Sequence, residues 1–311
     1  MTRAALRPTG VVGTGRLARA MLPALAAAGY PVTAVAGRSR ARARSAARLA
    51  PGALPLTSPA DAASRCRLLL LAVPDRALAH VARKLADELP TGWRGRVVLH
   101  HAGSLGQTPL TPLRDLGAMV GLLHPMQCLG PGPAATEALP GSRARVEGDP
   151  AAVRTARRLA RDLGLVVLRF PEPLDDEDRT TYHAAASLLS NDLLGLLALG
   201  ADLLESTGLT RRAAEAALLE LARGTLEQSR RGGPASALSG PVVRGDDATL
   251  RAQLECLRKR SPESARVHAA LSRRLLALVR RPAGTLDEER ARALERALRA
   301  TAAGRRGRTK I

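Results

Sequence analysis

The sequence contains few aromatic residues and few cysteines. Its 311 residues include one Trp, two Tyr and one Phe, which disfavours proteins that stack single-stranded bases on aromatic side chains. The three cysteines are widely spaced and form neither a disulfide framework nor a zinc motif, which favours a reducing compartment. A metal site built from His100, His124 and Cys128 would have no recognised spacing, so we expect no metal.

Long apolar runs are also missing. No uncharged run reaches the roughly 18 residues that a membrane span requires. The N-terminal residues lead into a glycine-rich turn without the apolar core of a signal peptide. We therefore expect a cytoplasmic protein that does not enter a membrane.

Lysine is scarce although the chain is strongly basic. The net charge is +20, from 48 Lys and Arg against 28 Asp and Glu, but only three of the basic residues are lysines. Arginine, alanine, glycine and proline all have codons rich in G and C, so a biased genome explains most of this charge. We expect no specific nucleic-acid partner, and any DNA binding should be weak, sequence-blind and sensitive to salt.

The first half of the chain alternates short apolar runs with amphipathic helical patterns. Buried strands interleaved with helices predict a doubly wound α/β domain with a parallel sheet covered on both faces. The predicted strands are Gly10–Val12, Val32–Ala36, Leu68–Val73, Arg96–Leu99, Met119–Leu123, Ala144–Glu147 and Leu165–Phe170.

The pattern becomes helical after Pro171 and Pro173, and from Thr181 it stays so almost to the end. We predict a nucleotide-binding domain over 1–172 and an all-α domain for substrate binding and dimerisation over 173–300. A disordered tail is predicted over 301–311.

A glycine-rich turn follows the first predicted strand. Gly13, Gly15 and Ala18 form the pattern G-x-G-x-x-A. Such glycines permit a tight turn and a close approach of the backbone to a pyrophosphate, which the following helix N-terminus attracts. The residues predicted to bind a dinucleotide here are Gly13, Thr14, Gly15, Arg16 and Leu17.

The end of the second strand indicates which dinucleotide is bound. An NAD site usually has an acidic residue there for the ribose 2′-hydroxyl, whereas this chain has Arg38 and Ser39. A guanidinium and a hydroxyl suit a 2′-phosphate, so NADP is favoured over NAD. Val73 and Pro74, after another strand, complete the predicted cofactor site.

Three histidines follow predicted strands at the edge where ligands of such sheets bind. They are His100, His101 and His124. A histidine there can donate a proton to a reduced substrate, because its pKa is ordinarily near ~6.5. The alternative is that they cap strand ends structurally.

The helical half carries two further polar groups. His183, Ser187 and Asn191 share one helix face at i, i+4 and i+8, either as a wall of the active site or as helix–helix hydrogen bonds. Arg244 follows a Gly-Pro turn and could bind a substrate carboxylate or brace an interface. Asp246 is a natural N-cap for the next helix.

Together these segments resemble the Rossmann-like family with a domain of unknown function 2520. This family belongs to the 6-phosphogluconate-dehydrogenase-like superfamily, beside pyrroline-5-carboxylate reductase and ketopantoate reductase. The resemblance spans about residues 8–280 and rests on VVGTGRLARAML, LLLAVPDRAL, VVLHHAGSLG, GLLHPMQ, YHAAASLLSNDLL and LSGPVVRGD. It implies a reductase that uses NAD(P) and forms a homodimer through its helical domain.

One departure from the superfamily affects the expected chemistry. Its hydroxyacid dehydrogenases transfer a proton with a Lys-x-x-x-Asn pair on the interdomain helix, whereas Ser187 here precedes Asn191 by four residues. The proton must then come from His124, His183 or His100.

The sequence therefore predicts an NADP(H)-dependent oxidoreductase for a small carbonyl or imine that bears a carboxylate, such as the 2-keto acid ketopantoate. Reduction of a cyclic imine is one alternative. A non-catalytic NADP-binding regulator is the other.

Overall fold

The computed structural model describes residues 7–280 and 286–302. The chain divides into two compact units, Met1–Ser190 and Asn191–Ile311. The predicted boundary at 172 falls in the irregular segment between the last strand and the long helix that follows. Of the tail predicted over 301–311, residues 303–311 lie outside the described residues.

The described part of the first unit is built on an eight-stranded sheet of order β3-β2-β1-β4-β5-β6-β7-β8. The strands are β1 (Thr9–Val12), β2 (Val32–Ala36), β3 (Leu54–Leu56), β4 (Leu68–Leu71), β5 (Val97–His100), β6 (Met119–Met126), β7 (Arg143–Gly148) and β8 (Val166–Val167). The first six strands run parallel, while β7 pairs antiparallel to β6 and β8 runs parallel to β7. The strand order reverses beside β1, so a crevice forms where β1 and β4 end.

Helices cover the sheet on both faces. In the first unit they are α1 (Arg16–Ala27), α2 (Arg40–Ala47), α3 (Pro59–Ser64), α4 (Asp75–Glu88), α5 (Thr111–Asp115), α6 (Ala134–Glu137) and α7 (Pro150–Asp162), and α8 (Asp176–Glu205) continues into the second unit. The predicted doubly wound α/β domain followed by helices is confirmed.

Strand β4 shows why the apolar runs are continuous rather than alternating. Leu68 and Leu70 pack into the core that α1 and α7 cover. Leu69 and Leu71 pack into the opposite core, beneath α4. Both faces of the strand are therefore buried, as expected for a parallel sheet between two helical layers.

Several elements differ from the prediction. Strand β7 runs antiparallel to β6, β6 extends to Met126, and β8 contains only two residues of the predicted strand Leu165–Phe170. Strand β3 was not predicted because it is short and contains Pro55, which a sheet tolerates at an edge. Helix α8 begins at Asp176 rather than Thr181, since Asp175 caps it by accepting a hydrogen bond of 2.8 Å from the backbone N–H of Asp178. Acidic residues at a helix N-terminus are the signal for this earlier start.

The described part of the second unit is helical. After α8 come α9 (Arg211–Gly232), α10 (Pro241–Arg244), α11 (Asp247–Arg260), α12 (Pro262–Val279) and α13 (Glu288–Ala302). Aliphatic side chains of α10 to α13 form its core, among them Val242, Leu254, Leu276 and Leu294. Asp246 caps α11 by accepting from the Thr249 N–H at 3.0 Å, as predicted.

Helix α8 is, among the described residues, the one helix long and apolar enough to cross a membrane. This is weak evidence for a membrane span, because length and composition are its only basis. Asp192 and Asp202 lie within the helix, and carboxylates are costly inside a bilayer.

The turn after β1 is fixed by a close approach of two backbones. Gly13 has φ of +126°, and a Cβ at this position would overlap the carbonyl oxygen of Ala72. Gly15 has φ of −76°, and nothing lies within 4 Å of the position its Cβ would take. Of these two glycines, only Gly13 is required by the fold.

We expect Gly13→Ala to lower the free energy of unfolding by at least ~2 kcal/mol, because it adds backbone strain and a clash. Gly15→Ala should change it by less than ~0.5 kcal/mol. Urea unfolding of both variants measures this difference. If the two variants were equally stable, the close approach of Gly13 to Ala72 would not require glycine at position 13.

Candidate functional site

The glycine turn leaves an open surface at the start of α1. Gly15 is the N-cap residue, and no side chain caps the helix there. The first N–H groups of α1 therefore point toward space that an anion could fill. The methyl group of Thr14 lies close to Gly37, which places the turn against the end of β2. Arg16 is exposed and Leu17 is half-buried.

The two residues predicted to select the dinucleotide have different surroundings. Arg38 lies two residues after the end of β2 and is exposed. Ser39 is the N-cap of α2, and its hydroxyl accepts a hydrogen bond of 3.5 Å from the backbone N–H of Arg42. The structure therefore gives Ser39 a helix-capping role beside the predicted ligand contact.

The ends of β4 and β5 lie next to the turn in the strand order. Val73 is half-buried, and the exposed Pro74 is the N-cap residue of α4. The Ser104 hydroxyl donates a hydrogen bond of 3.4 Å to Asp75. This contact ties the start of α4 to the loop that follows β5.

The ring of His100, a predicted candidate for catalysis, is held by backbone groups. Its side chain is fully buried. The Nε2–H group donates to the Gly106 carbonyl oxygen at 2.8 Å, and Nδ1 accepts from the Ala102 N–H at 3.1 Å. Both ring nitrogens are thus occupied, and burial lowers the pKa of His100 to about 4. The alternative of a strand-end cap describes this histidine.

His101 is also held by the backbone. Its Nδ1–H group donates to the Leu123 carbonyl oxygen at 2.5 Å, and burial lowers its pKa to about 4. The ring therefore joins the end of β5 to β6 as a neutral group.

His124 and His183 come together around a glycine. Their ring centroids are 6.4 Å apart. A Cβ on Gly103 would lie 2.7 Å from Nε2 of His124 and 2.6 Å from Cδ2 of His183. The loop after β5 can pass between the two rings only because residue 103 has no side chain.

His124 is uncharged at neutral pH. Burial lowers its pKa to about 3, and the positive charge of Arg145 acts in the same direction. Its Nδ1 lies 3.0 Å from the Tyr182 hydroxyl oxygen. Burial also raises the pKa of Tyr182 to about 12. The pair therefore consists of a neutral imidazole and a neutral phenol.

Arg145 places a positive charge next to His124 and Tyr182. It is opposite His124 in the register of β6 and β7, and its side chain is only 1% exposed. Its guanidinium is 3.0 Å from the Glu147 carboxylate and donates to the Leu105 carbonyl oxygen at 2.7 Å. The guanidinium carbon also lies 5.4 Å from the centre of the Tyr182 ring.

Glu147 connects this charge to α8. Arg179 contacts its two carboxylate oxygens at 2.5 and 3.3 Å and also pairs with Asp176 at 2.6 Å. The Arg179 guanidinium packs against Gly106. Thus β7, the loop after β5 and the first turns of α8 are held by one ion-pair network.

We call His124, Arg145, Tyr182 and His183 the strand-end cluster.

Two members of the strand-end cluster were not predicted. Tyr182 directly precedes His183, but it lies outside the helix face that His183 shares with Ser187 and Asn191. Arginine is frequent in this sequence, so Arg145 is not conspicuous by itself. The feature that could have identified it is its spacing from Glu147, two residues later. Residues two apart in a strand share a face, so a buried cation and its partner occupy adjacent positions.

The remaining predicted residues lie farther along the chain. Ser187 is half-buried in the first unit. Asn191 is exposed at the start of the second unit, and Arg244 is exposed at the end of α10. The pKa of Asp246 lies below its usual value. Hydrogen bonds from Thr249 are the largest cause, and the positive charge of Arg244 acts in the same direction. The roles assigned to these three residues stay predictions.

Within 7–280 and 286–302, no group of three or more His, Cys, Asp or Glu side chains is arranged to hold a metal ion.

Two family models match the chain. A Rossmann-like domain covers residues 2–125, and the domain of unknown function DUF2520 covers residues 143–275. The chain therefore matches a Rossmann-like domain followed by a DUF2520 domain. The predicted family resemblance is confirmed. Among curated proteins, none matches this sequence.

Solved structures share the fold of this chain. One, described as a candidate NADP oxidoreductase from Bacteroides fragilis, has 22% identity and a TM-score of 0.65, over 88% of this chain and 98% of that chain. The reductive aminase from Aspergillus terreus, in complex with NADPH and ethyl-5-oxohexanoate, has 19% identity and a TM-score of 0.58, over 94% and 99%. Pyrroline carboxylate reductase from Plasmodium falciparum, with NADP bound, has 14% identity and a TM-score of 0.54, over 88% and 98%.

The neutral histidines make folding stability depend on pH. The folded pKa values of His100, His101 and His124 are about 4, 4 and 3, against about 6.5 when unfolded. The unfolded chain therefore binds more protons below pH ~6.5. The stability contribution is complete above that pH and is lost as the pH falls toward the folded pKa values.

We expect the free energy of unfolding to decrease from pH 7 to pH 5, by up to ~1.4 kcal/mol per pH unit for each of these histidines. Urea unfolding at the two pH values measures the decrease. His80→Gln is a matched control, because His80 is exposed on α4 and its loss should leave the decrease unchanged. Equal stability at both pH values would contradict neutral burial of the three rings.

Proposed function

We propose that this protein is an NADP(H)-dependent oxidoreductase. The observation that carries the proposal is the shared position of two features. The glycine turn after β1 and the strand-end cluster, whose His124 lies near the end of β6, are both at the carboxyl edge of the parallel strands β1 to β6. Ligands of open α/β sheets bind at this edge.

The residues present fit NADP. Gly15 has open space above it, and the N–H groups that begin α1 can bind a pyrophosphate. Arg38 would bind the 2′-phosphate, as no acid stands at the end of β2 to bind a free hydroxyl. Val73 and Pro74 would line the site at the end of β4. When bound, the nicotinamide supplies a hydride.

The strand-end cluster would supply the proton that accompanies this hydride. His124 and His183 are the candidate donors, since their rings meet at Gly103 near the end of β6. A donor must lie within hydrogen-bond reach of the atom it protonates. Ser187 and Asn191, on the same helical face as His183, would orient the acceptor atom.

The substrate would be a small carbonyl or imine compound that bears a carboxylate, with Arg244 as the carboxylate-binding group. A 2-keto acid such as ketopantoate is one candidate. A cyclic imine is the other, favoured by the structural similarity to pyrroline carboxylate reductase.

A panel of 2-keto acids and cyclic imines, assayed by NADPH oxidation, tests the proposal. Turnover of a panel member supports it, and Asn191→Ala should then reduce that turnover. Tight NADPH binding without any turnover would instead indicate a non-catalytic regulator. Absence of NADPH binding would exclude both functions.

We expect Arg38→Asp to abolish the preference for NADPH over NADH. Loss of a charge-assisted contact to the 2′-phosphate, worth roughly 2–3 kcal/mol, should weaken NADPH binding about 30- to 160-fold, while NADH binding stays similar or improves. Isothermal titration with each nucleotide measures this. Arg48→Asp is the control, because Arg48 is an exposed arginine at the opposite end of α2. An unchanged preference in Arg38→Asp would refute the role of Arg38.

We also propose that the second unit mediates a homodimer. Ala214 is the one described residue of α9 that is buried. Several leucine side chains of α8 and α9 are exposed to solvent, namely Leu194, Leu196, Leu219, Leu221 and Leu226. Exposed apolar patches of this kind mark interaction surfaces, and a second copy of the chain is the proposed partner.

We expect Leu221→Glu to convert a dimer into a monomer, because a buried unpaired carboxylate is costly at an interface. Sedimentation analysis measures the mass. Leu271→Glu, at an exposed leucine of α12, should leave the dimer intact. A monomeric wild-type protein would refute the proposed dimer.

A further inference from the structure

Tyr182 is a phenol buried within the proposed active site. Its side chain is 8% exposed. The ring meets Phe170 edge to face, with centroids 6.1 Å apart, and meets His124 in the same way at 5.6 Å. Its hydroxyl oxygen lies 3.0 Å from Nδ1 of His124. The packing therefore directs its hydroxyl at one nitrogen of a single histidine.

The two nitrogens of His124 have different environments. Nδ1 is adjacent to the Tyr182 hydroxyl, whereas Nε2 faces Gly103, next to the His183 ring. Among the described residues, no hydrogen bond to Nε2 is present. A neutral imidazole that accepts at Nδ1 carries its proton at Nε2. His124 can therefore give one proton on the glycine side and receive another from Tyr182.

Arg145 lowers the electrostatic cost of such an exchange. Its guanidinium lies against the Tyr182 ring, 5.4 Å from the ring centre, and its charge lowers the pKa of the phenol against the effect of burial. A phenolate formed at Tyr182 would be adjacent to a cation that Glu147 and Leu105 already hold in place. In a site with little water, such preorganised charge stabilises a transient anion strongly.

We propose that Tyr182 is the proton reservoir of the active site and acts through His124, with Arg145 stabilising the phenolate. The inference rests on the proposed reductase function. When a substrate carbonyl carbon has accepted a hydride, its oxygen carries the negative charge. The Nε2–H proton of His124 passes to that oxygen, and the Tyr182 O–H proton passes to Nδ1. A proton from water then enters at Nε2 while the Nδ1–H proton returns to the phenolate oxygen, so that both groups regain their starting protonation and charge and atoms balance.

The groups around His124 favour a relay over a charged histidine donor. Arg145 on β7 and His183 on α8 face it, as do His100 and His101 from the end of β5. Each of these disfavours an imidazolium, and the carboxylate of Glu147 is engaged by two arginines. Passing a proton through a ring that stays neutral avoids this cost. It also replaces the lysine that is missing from α8.

The main variant is Tyr182→Phe, which keeps the ring and removes only the hydroxyl. With a substrate from the panel, the rate of substrate protonation should fall about 100-fold or more, the lower end of general acid catalysis, while NADPH affinity stays unchanged. Tyr30→Phe is the matched control. Tyr30 is the other tyrosine of the chain, and its hydroxyl donates to Asp162 at 2.9 Å.

A graded variant separates proton transfer from structure. In Tyr30→Phe protein, labelling with 3-fluorotyrosine modifies residue 182 alone. The fluorinated phenol is more acidic, so the protonation rate and the solvent isotope effect should both change. A purely structural hydroxyl would leave both as in the unlabelled protein.

Imidazole 15N NMR of the cofactor-free protein gives a readout that needs no activity. We expect His124 to carry its proton on Nε2, and the Nδ1 signal to shift in Tyr182→Phe but not in Tyr30→Phe. A proton on Nδ1 in the wild type, or equal protonation rates in the two variants, would overturn the relay. If no substrate is turned over, the proposed function fails, and the NMR result still decides the hydrogen-bond direction.

Discussion

The buried charge of Arg145 is the interaction on which the candidate site depends. An uncompensated guanidinium inside a protein would cost several kcal/mol, so Glu147 and the Leu105 carbonyl oxygen must pair with it. Arg179 approaches the same carboxylate from α8. One ion-pair network therefore fixes the end of the sheet, the loop after β5 and the start of the long helix.

The same charge sets the protonation of its neighbours. It lowers the pKa of His124, which burial has already lowered, and it opposes the rise that burial imposes on Tyr182. A histidine and a tyrosine that share a hydrogen bond beside a fixed cation form a neutral pair with a defined direction for proton movement. A site without lysine can thus still present a proton, because one arginine supplies the electrostatic field.

Much of the fold could be predicted from local patterns. The motif that follows a strand and begins a helix places Gly13 in a tight turn, and the apolar run Leu68–Val73 predicts a buried strand. The roles of the histidines could not be predicted in this way. His100 and His124 both follow predicted strands, yet their surroundings differ. Backbone groups occupy both nitrogens of His100, whereas β6 extends past His124 and leaves its Nε2 facing Gly103.

The sequence by itself determined the doubly wound sheet, the glycine turn, the absence of an acid after β2 and the helical second half. These are local properties, since they follow from hydrophobic periodicity and from the residues adjacent in the chain. Only the tertiary structure decided which polar residues meet. Gly103, His124, Arg145 and Tyr182 lie on separate segments, and antiparallel pairing of β6 with β7 and the start of α8 bring them together.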